Sequence, residues 1–417
     1  MSELLIIAIV VFGFAMVSRK LALSPVTAPM VFTAVGLLLG VVGGEWFRLD
    51  LESEVVSILV EATLVLVLFT DAVRIDLRKL RTQFLLPIRL LGIGLPLTII
   101  LGTVAAAVLF GGLTIFEAAL IAAILAPTDA ALGQAVVSDK RLPVRIRQGL
   151  NVESGLNDGI MVPVVTVFLA IAAVETGSTG GQSWGAFAVQ QIGFGILFGA
   201  AVGLLGGWLL NRFAKAGSVD GIYRQLATIA IAVAAFASAG VVGGNGFIAA
   251  FVAGLAFSFI APEECSTVQD FTEDEGELLG SITFLVFGAV LAAPVLTSLT
   301  WQIALYVVLS LTVVRMIPVL IALAWSRTRF ETRLFIGWFG PRGLASILFA
   351  LLVFDQLSGA VADTVFSVAV WTILVSVFAH GMTASPWTSR LARRLADAPA
   401  SAAEMEHVQE MPFRRRI

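Results

Sequence analysis

Within six residues, 153–158 (ESGLND), the chain sets Glu153, Ser154, Asn157 and Asp158, and Thr128 and Asp129 precede them in APTDA (126–130). Carboxylate, amide and hydroxyl oxygens are the donors that hard cations take, and a carboxylate also takes a proton. On a helix turning about 100° per residue, Ser154 and Asp158 stack one turn apart, Asn157 lies about 60° to one side and Glu153 beyond it, so the four share one face about 140° wide. Asp158 supplies the anionic oxygen, Ser154 and Asn157 neutral ones, and unwound carbonyls around Thr128 complete a shell. A carboxylate withdrawn from water binds a proton or a cation, and each event disfavours the other. If that site faces the two sides of a barrier in turn, competition for Asp158 yields exchange of cation for proton.

The barrier is evident from the composition. Of 417 residues, 58% are apolar and 13% charged, against about 25% charged in soluble domains. Thirteen apolar segments recur: 4–17, 22–42, 54–72, 84–110, 115–138, 149–174, 184–211, 223–241, 245–261, 278–296, 301–325, 331–354 and 361–382. Each suits a bilayer crossing, the long fourth and seventh by tilting. Alternating loops then hold 22 of the 26 basic residues on one side, with only Arg48 opposite. Lys and Arg retained on the cytoplasmic side put the N-terminus outside and the C-terminus in the cytoplasm. The expected protein is all-α, polytopic and seated in a bacterial-type plasma (inner) membrane. A transmembrane domain occupies 1–382 and a short cytoplasmic tail 383–417.

The N-terminal run has no basic residue before it, so it reads as a retained span and not a cleaved signal. The acidic stretch 263–277 reads as a solvated connector. One cysteine, Cys265, excludes a disulfide framework, and two histidines, His380 and His407, leave little for zinc. No phosphate-binding G-x-x-x-x-G-K-[ST] loop occurs, so no nucleotide or other organic cofactor is expected, and nothing points to nucleic acid.

Two segments are interrupted near their middles, the fifth at APTDA and the twelfth at FGPRG (339–343). Proline removes a helix hydrogen bond and glycine favours unwinding, so both are expected to break. Segments 1–6 and 8–13 can be inverted six-helix copies joined by the seventh, which gives the breaks matching positions; paired broken helices mark midplane ion sites. Inside the spans lie the acids Glu61, Asp71, Asp129, Glu153 and Asp158 and the bases Arg89, Arg315 and Arg342. Each charge near the bilayer centre costs roughly 3 kcal/mol. Arg89 is near a span end and can snorkel, so it is given no function. Glu153 and Arg315 read as a structural ion pair that leaves the ion to Asp158. Asp129 either caps amides freed at Pro127 or binds substrate. Glu61 has no assigned part.

At these residues the sequence resembles the sodium/proton exchanger family, the cation/proton antiporters of NhaP and NHE type. APTDA, ESGLNDG (153–159), GNGFIAAFVAGL (244–255), VVRMIP (313–318) and GPRG (340–343) carry the resemblance, in the family's order and over nearly the whole membrane domain. It implies a thirteen-helix fold with a dimerisation bundle and a six-helix ion-transporting core, and a homodimer. Asp158 would be the ion- and proton-binding acid, with Asn157 the neutral partner that marks the electroneutral branch. Thr128, Asp129 and Ser154 would line the site, Glu153 would pair with Arg315, and Arg342 would lie at the crossing of the broken helices. One departure concerns LVLFTDAVRIDL (66–77): Thr70 stands where many relatives have an acid, and Asp71 follows one residue, or about 100°, later.

The expected function is electroneutral exchange of sodium or lithium, with potassium open, against protons. Two rivals differ in kind: a proton-uncoupled cation channel, and an intramembrane aspartyl protease with Asp129 and Asp158 as its dyad. The protease reading gives Arg315 no part and lacks that group's G-x-G-D motif. The chain is therefore not expected to be an enzyme.

Overall fold

The computed structural model describes residues 2–21, 24–43, 54–75, 85–129, 132–175, 184–357, 359–396, 398–399, 401–406 and 408. Arg48, Ala130 and His407, named above, and Arg78, Lys79, Arg81 and Arg414 to Arg416, among the 22 basic residues assigned to the cytoplasmic side, lie outside them.

Every expected segment falls on helix, and among the described residues there is no strand. The helices are α1 (Ser2–Leu21), α2 (Ala28–Val42), α3 (Glu54–Val73), α4 (Leu85–Leu109), α5 (Ile115–Ile124), the short α6 (Gln134–Val137), α7 (Val144–Glu175), α8 (Trp184–Lys215), α9 (Gly221–Val241), α10 (Gly246–Ile260), α11 (Cys265–Val286), α12 (Trp301–Leu311), α13 (Val313–Ala322), α14 (Phe330–Trp338), α15 (Leu344–Gln356) and α16 (Ala360–Ala396). Seven helices among the described residues are long and apolar enough to cross a membrane.

The boundaries differ from expectation in two places. The stretch 263–277 is mostly helical, because α11 starts at Cys265. No glycine or proline interrupts 265–275; polarity dictates where such a stretch is solvated, not whether its backbone coils. At the other end, α16 continues past 382 to Ala396, and Leu391, Ala392 and Leu395 are buried.

Two π-helical turns, Leu90–Gly94 and Phe287–Ala292, each lie just before a proline, Pro96 and Pro294. A proline ring clashes with the carbonyl four residues back, here Gly92 and Val290, and a widened turn moves that carbonyl aside.

The helices pack in two groups. One joins α2, α3, α8, α9, α10 and α11; the other joins α4, α5, α7 and α12 to α16. In the first, glycines let backbones touch. A Cβ on Gly199 of α8 would sit 2.5 Å from the Ala249 carbonyl oxygen of α10, and Gly203 meets Ala253 in the same way one turn on. Gly254 of α10 faces the Phe69 carbonyl of α3. Where no water competes, such close approach is a main source of helix association. Asn245 caps α10, accepting from the Phe247 and Ile248 amides at 3.0 and 3.1 Å, and donates to Thr166 of α7 at 3.1 Å. The GNG motif thus ties the first group to the helix that carries ESGLND.

Candidate ion-binding site

The second group is built around the two breaks. α5 stops at Ile124 and α14 at Trp338, and the chain runs non-helically through Thr128–Asp129 and through Gly340–Gly343. Helix ends leave amides and carbonyls unsatisfied, which is costly away from water. The two stretches satisfy each other. The Asp129 amide donates to the Pro341 carbonyl at 2.8 Å, and the Ser346 hydroxyl donates to the Ile124 carbonyl at 2.7 Å. Asp129 Oδ2 accepts from the Leu344 amide at 3.0 Å, so it caps α15, the helix beyond the other break. Gly343 makes this possible, because any Cβ there would overlap the Asp129 carboxylate.

Arg342 and His380 complete the crossing. The Arg342 amide donates to Ser376 Oγ at 2.8 Å, and its guanidinium donates to the Gly340 and Ser310 carbonyls, the latter at 3.2 Å. The Ser310 carbonyl is available because the helix is interrupted at Thr312, between α12 and α13. His380 Nδ1 lies 2.9 Å from the Ser376 carbonyl, and Nε2 lies 2.9 Å from the Trp338 carbonyl at the broken end of α14. Neither the Thr312 interruption nor the part of His380 was foreseen. The one signal available for the latter was a lone histidine within the apolar segments.

The ESGLND face of α7 looks onto this crossing. Asn157 Nδ2 donates to Thr128 Oγ1 at 2.7 Å, and Ser154 Oγ donates to the Thr128 carbonyl. Asn157 is fully buried, and its Oδ1 has no hydrogen-bond partner among the described residues. A buried amide oxygen without a donor carries a free-energy penalty, and a cation would relieve it. Asp158 is buried beside it, at 6% exposure. Ser154 and Thr128, expected to offer oxygens to the ion, are here bonded to each other, although a carbonyl and a hydroxyl oxygen each keep a further lone pair.

Glu153 and Arg315 face each other, with Nη2 of Arg315 2.7 Å from Oε1 and 2.9 Å from Oε2. Asp71 lies against α7 at Gly155, where a Cβ would be 3.6 Å from its own, and Arg74 Nη1 stands 3.5 Å from its carboxylate. Asp71 therefore reaches α7, with an arginine beside it. Glu61 is half-buried on α3. A small cleft lined by Thr128, Asp129, Ser154, Phe339 and Pro341 has room of about 20 Å³, enough for one water-sized occupant. Around the crossing, three buried carboxylates (Asp129, Glu153, Asp158) face two buried guanidinium groups (Arg315, Arg342).

Long apolar helices around a crossed pair of broken ones, with buried carboxylates at the crossing, define a multi-pass membrane protein with a charged interior. The family model for the transmembrane region of sodium/hydrogen exchangers matches residues 5–390, and the chain belongs to that family, whose members are transporters and not enzymes. It is 27% identical, over 66% of its length, to a Na(+)/H(+) antiporter of Schizosaccharomyces pombe. It is 25% identical, over 91% of its length, to the K(+)/H(+) antiporter NhaP2 of Shewanella sp. (strain ANA-3). The chain spans 65% and 66% of the lengths of these two relatives. The sodium proton antiporter MjNhaP1 of Methanocaldococcus jannaschii, at pH 8, shares the fold, with a TM-score of 0.75 at 17% identity over 91% of this chain and 98% of that one.

Proposed function

We propose that the chain is an electroneutral antiporter that exchanges one monovalent cation for one proton, with both competing for Asp158. The observation that carries this reading is the buried Asp158 carboxylate beside Asn157, whose buried Oδ1 has no hydrogen-bond partner among the described residues. One charge of either kind neutralises that carboxylate, so the loaded forms carry equal charge and a 1:1 exchange moves none across the membrane. Asn157, Ser154, Thr128 and Asp129 furnish or hold the neutral part of the shell. Glu153–Arg315 and Arg342 fix the elements that bear it. Alternating access presents the site to either side. The N-terminus lies outside and the C-terminus in the cytoplasm, the halves are inverted repeats, and the first helix group pairs two chains into a homodimer within the plasma membrane bilayer. Sodium or lithium is the expected cation; relatives are named for potassium as well as sodium.

The test is proton flux in proteoliposomes with an imposed pH gradient, adding sodium, lithium, potassium or choline, with and without a voltage clamp. Cation-dependent collapse of the gradient that ignores voltage and vanishes in Asp158→Ala is the expected result. Current without proton coupling would turn the reading to a channel, and no response to any cation from folded protein would end the antiporter claim. Asn157→Asp sharpens the same assay: a second acid adds one charge to the site, so exchange by that variant should respond to voltage.

A further inference from the structure

Away from the crossing, arginines that transport does not use collect at one end of the core. A cleft of about 590 Å³ opens there, between the first turns of α4 and α7, the turn after α13, and a C-terminal strap over 401–406. It is far larger than a water site and of the size that small-molecule ligands occupy. Three arginines line it: Arg89 from α4, Arg145 from α7 and Arg327 from the turn.

Their states are unusual. Arg89 Nη1 is buried and has no hydrogen-bond partner among the described residues. Arg327 has φ of +58°, the only positive value for a non-glycine residue among those described. A non-glycine residue rarely takes that conformation, and such positions cluster at ligand clamps and switch regions. Arg145 reaches the strap, with Nη1 2.7 Å from Glu406 Oε2 and a hydrogen bond to the Ala403 carbonyl. Among the described residues, the cleft sets one carboxylate against three guanidinium groups, on a side chain that is 65% exposed. Two apolar side chains stand out at the rim: Leu85 is 61% and Trp325 74% exposed. A tryptophan beside arginines at a helix end suits the level of lipid headgroups.

We propose that this cleft binds a phosphate-bearing anion, seated by Arg89 and Arg327 and competing with Glu406 for Arg145. Guanidinium groups match phosphate oxygens in pairs, and a basic pocket between membrane helices is a general solution for phosphate headgroups. The anion comes either from a lipid headgroup or from soluble phosphate, and both use the same chemistry. The inference does not depend on the transport reading, because its test reads binding alone.

The full chain, purified in neutral detergent and stripped of lipid, would be unfolded thermally in two arms. One compares phosphatidylglycerol with phosphatidylcholine in mixed micelles. The other compares inorganic phosphate and pyrophosphate with chloride at equal ionic strength. At saturation, at least one phosphate anion should raise Tm by about 3 °C. A rise with phosphatidylglycerol alone assigns the site to a headgroup, and a rise with free phosphate assigns it to a soluble ligand. The Arg89→Gln/Arg327→Gln variant should bind at least tenfold more weakly, whereas Glu406→Gln, which removes the competitor, should bind about two- to fivefold more tightly. No rise in either arm, or an equal rise in the arginine variant, overturns the proposal. Should that variant fail to fold, unchanged or weaker binding by Glu406→Gln, a surface substitution, overturns it alone.

Discussion

The two helix groups solve the same problem, association without water, by opposite means. Where α8, α10 and α3 meet, Gly199, Gly203 and Gly254 bring backbone against backbone with no charge between them. Where α5, α7 and α14 to α16 meet, three acids and two arginines are buried, and the helices are broken so that their ends can bond to one another. Packing of the first kind only fixes a distance. The second kind places charged and polar groups at a defined position in the core, which is what the proposed ion site requires. A site of this sort thus needs a neighbour that contributes shape and nothing else.

Substitutions can break this contrast at graded cost. The largest effect belongs to Asp158→Asn: cation-dependent proton flux in proteoliposomes should fall to background while thermal unfolding in detergent is little changed. Retained exchange would remove Asp158 from the ion path. Next is Arg315→Met, which strands Glu153 in the core and should cost about 3–5 kcal/mol of unfolding free energy, whereas Glu153→Met/Arg315→Met should recover most of it. A double variant as unstable as the single one would mean that the pair is not the unit. In the glycine-packed group, Gly203→Ala pushes a methyl group into the Ala253 backbone and should cost about 1–3 kcal/mol, seen in unfolding and not in cation preference. The smallest change concerns the periphery of the core. Glu404, buried on the C-terminal strap, accepts from the Arg329 amide at 2.6 Å and the Thr332 hydroxyl at 3.0 Å, so it caps α14. Glu404→Gln should lower stability by about 1 kcal/mol with the exchange rate kept.

How much of this was legible in the chain depends on what each feature leaves in the sequence. The breaks were legible because Pro127, Gly340, Pro341 and Gly343 act on their own backbone, within a turn of where they stand. The shared face of Ser154, Asn157 and Asp158 was legible from helix periodicity. The partner of Asp129 was not: its carboxylate bonds to Leu344, 215 positions away, and periodicity says nothing over that span. The Thr312 interruption was missed for a related reason, since the Ser310 carbonyl freed there is taken by Arg342, from the distant break between α14 and α15. The ends of α11 and α16 were misjudged because apolar runs mark lipid, and both helices continue beyond it. Asp71 stands between these cases. Its shift along α3 was visible, but that it would come to rest against Gly155 was not.

The histidine at the crossing has a practical use. The chain contains two histidines, and the imidazole of His380 touches both Trp338 at one broken helix end and Ser376, which holds the Arg342 amide. Protein labelled with nitrogen-15 at histidine alone would therefore show a spectrum of very few lines, one of them from the core of the molecule. Because each ring nitrogen is tied to a different part of the crossing, that line would shift whenever the two parts move relative to each other. The molecule thus carries its own reporter for magnetic resonance, without an added tag.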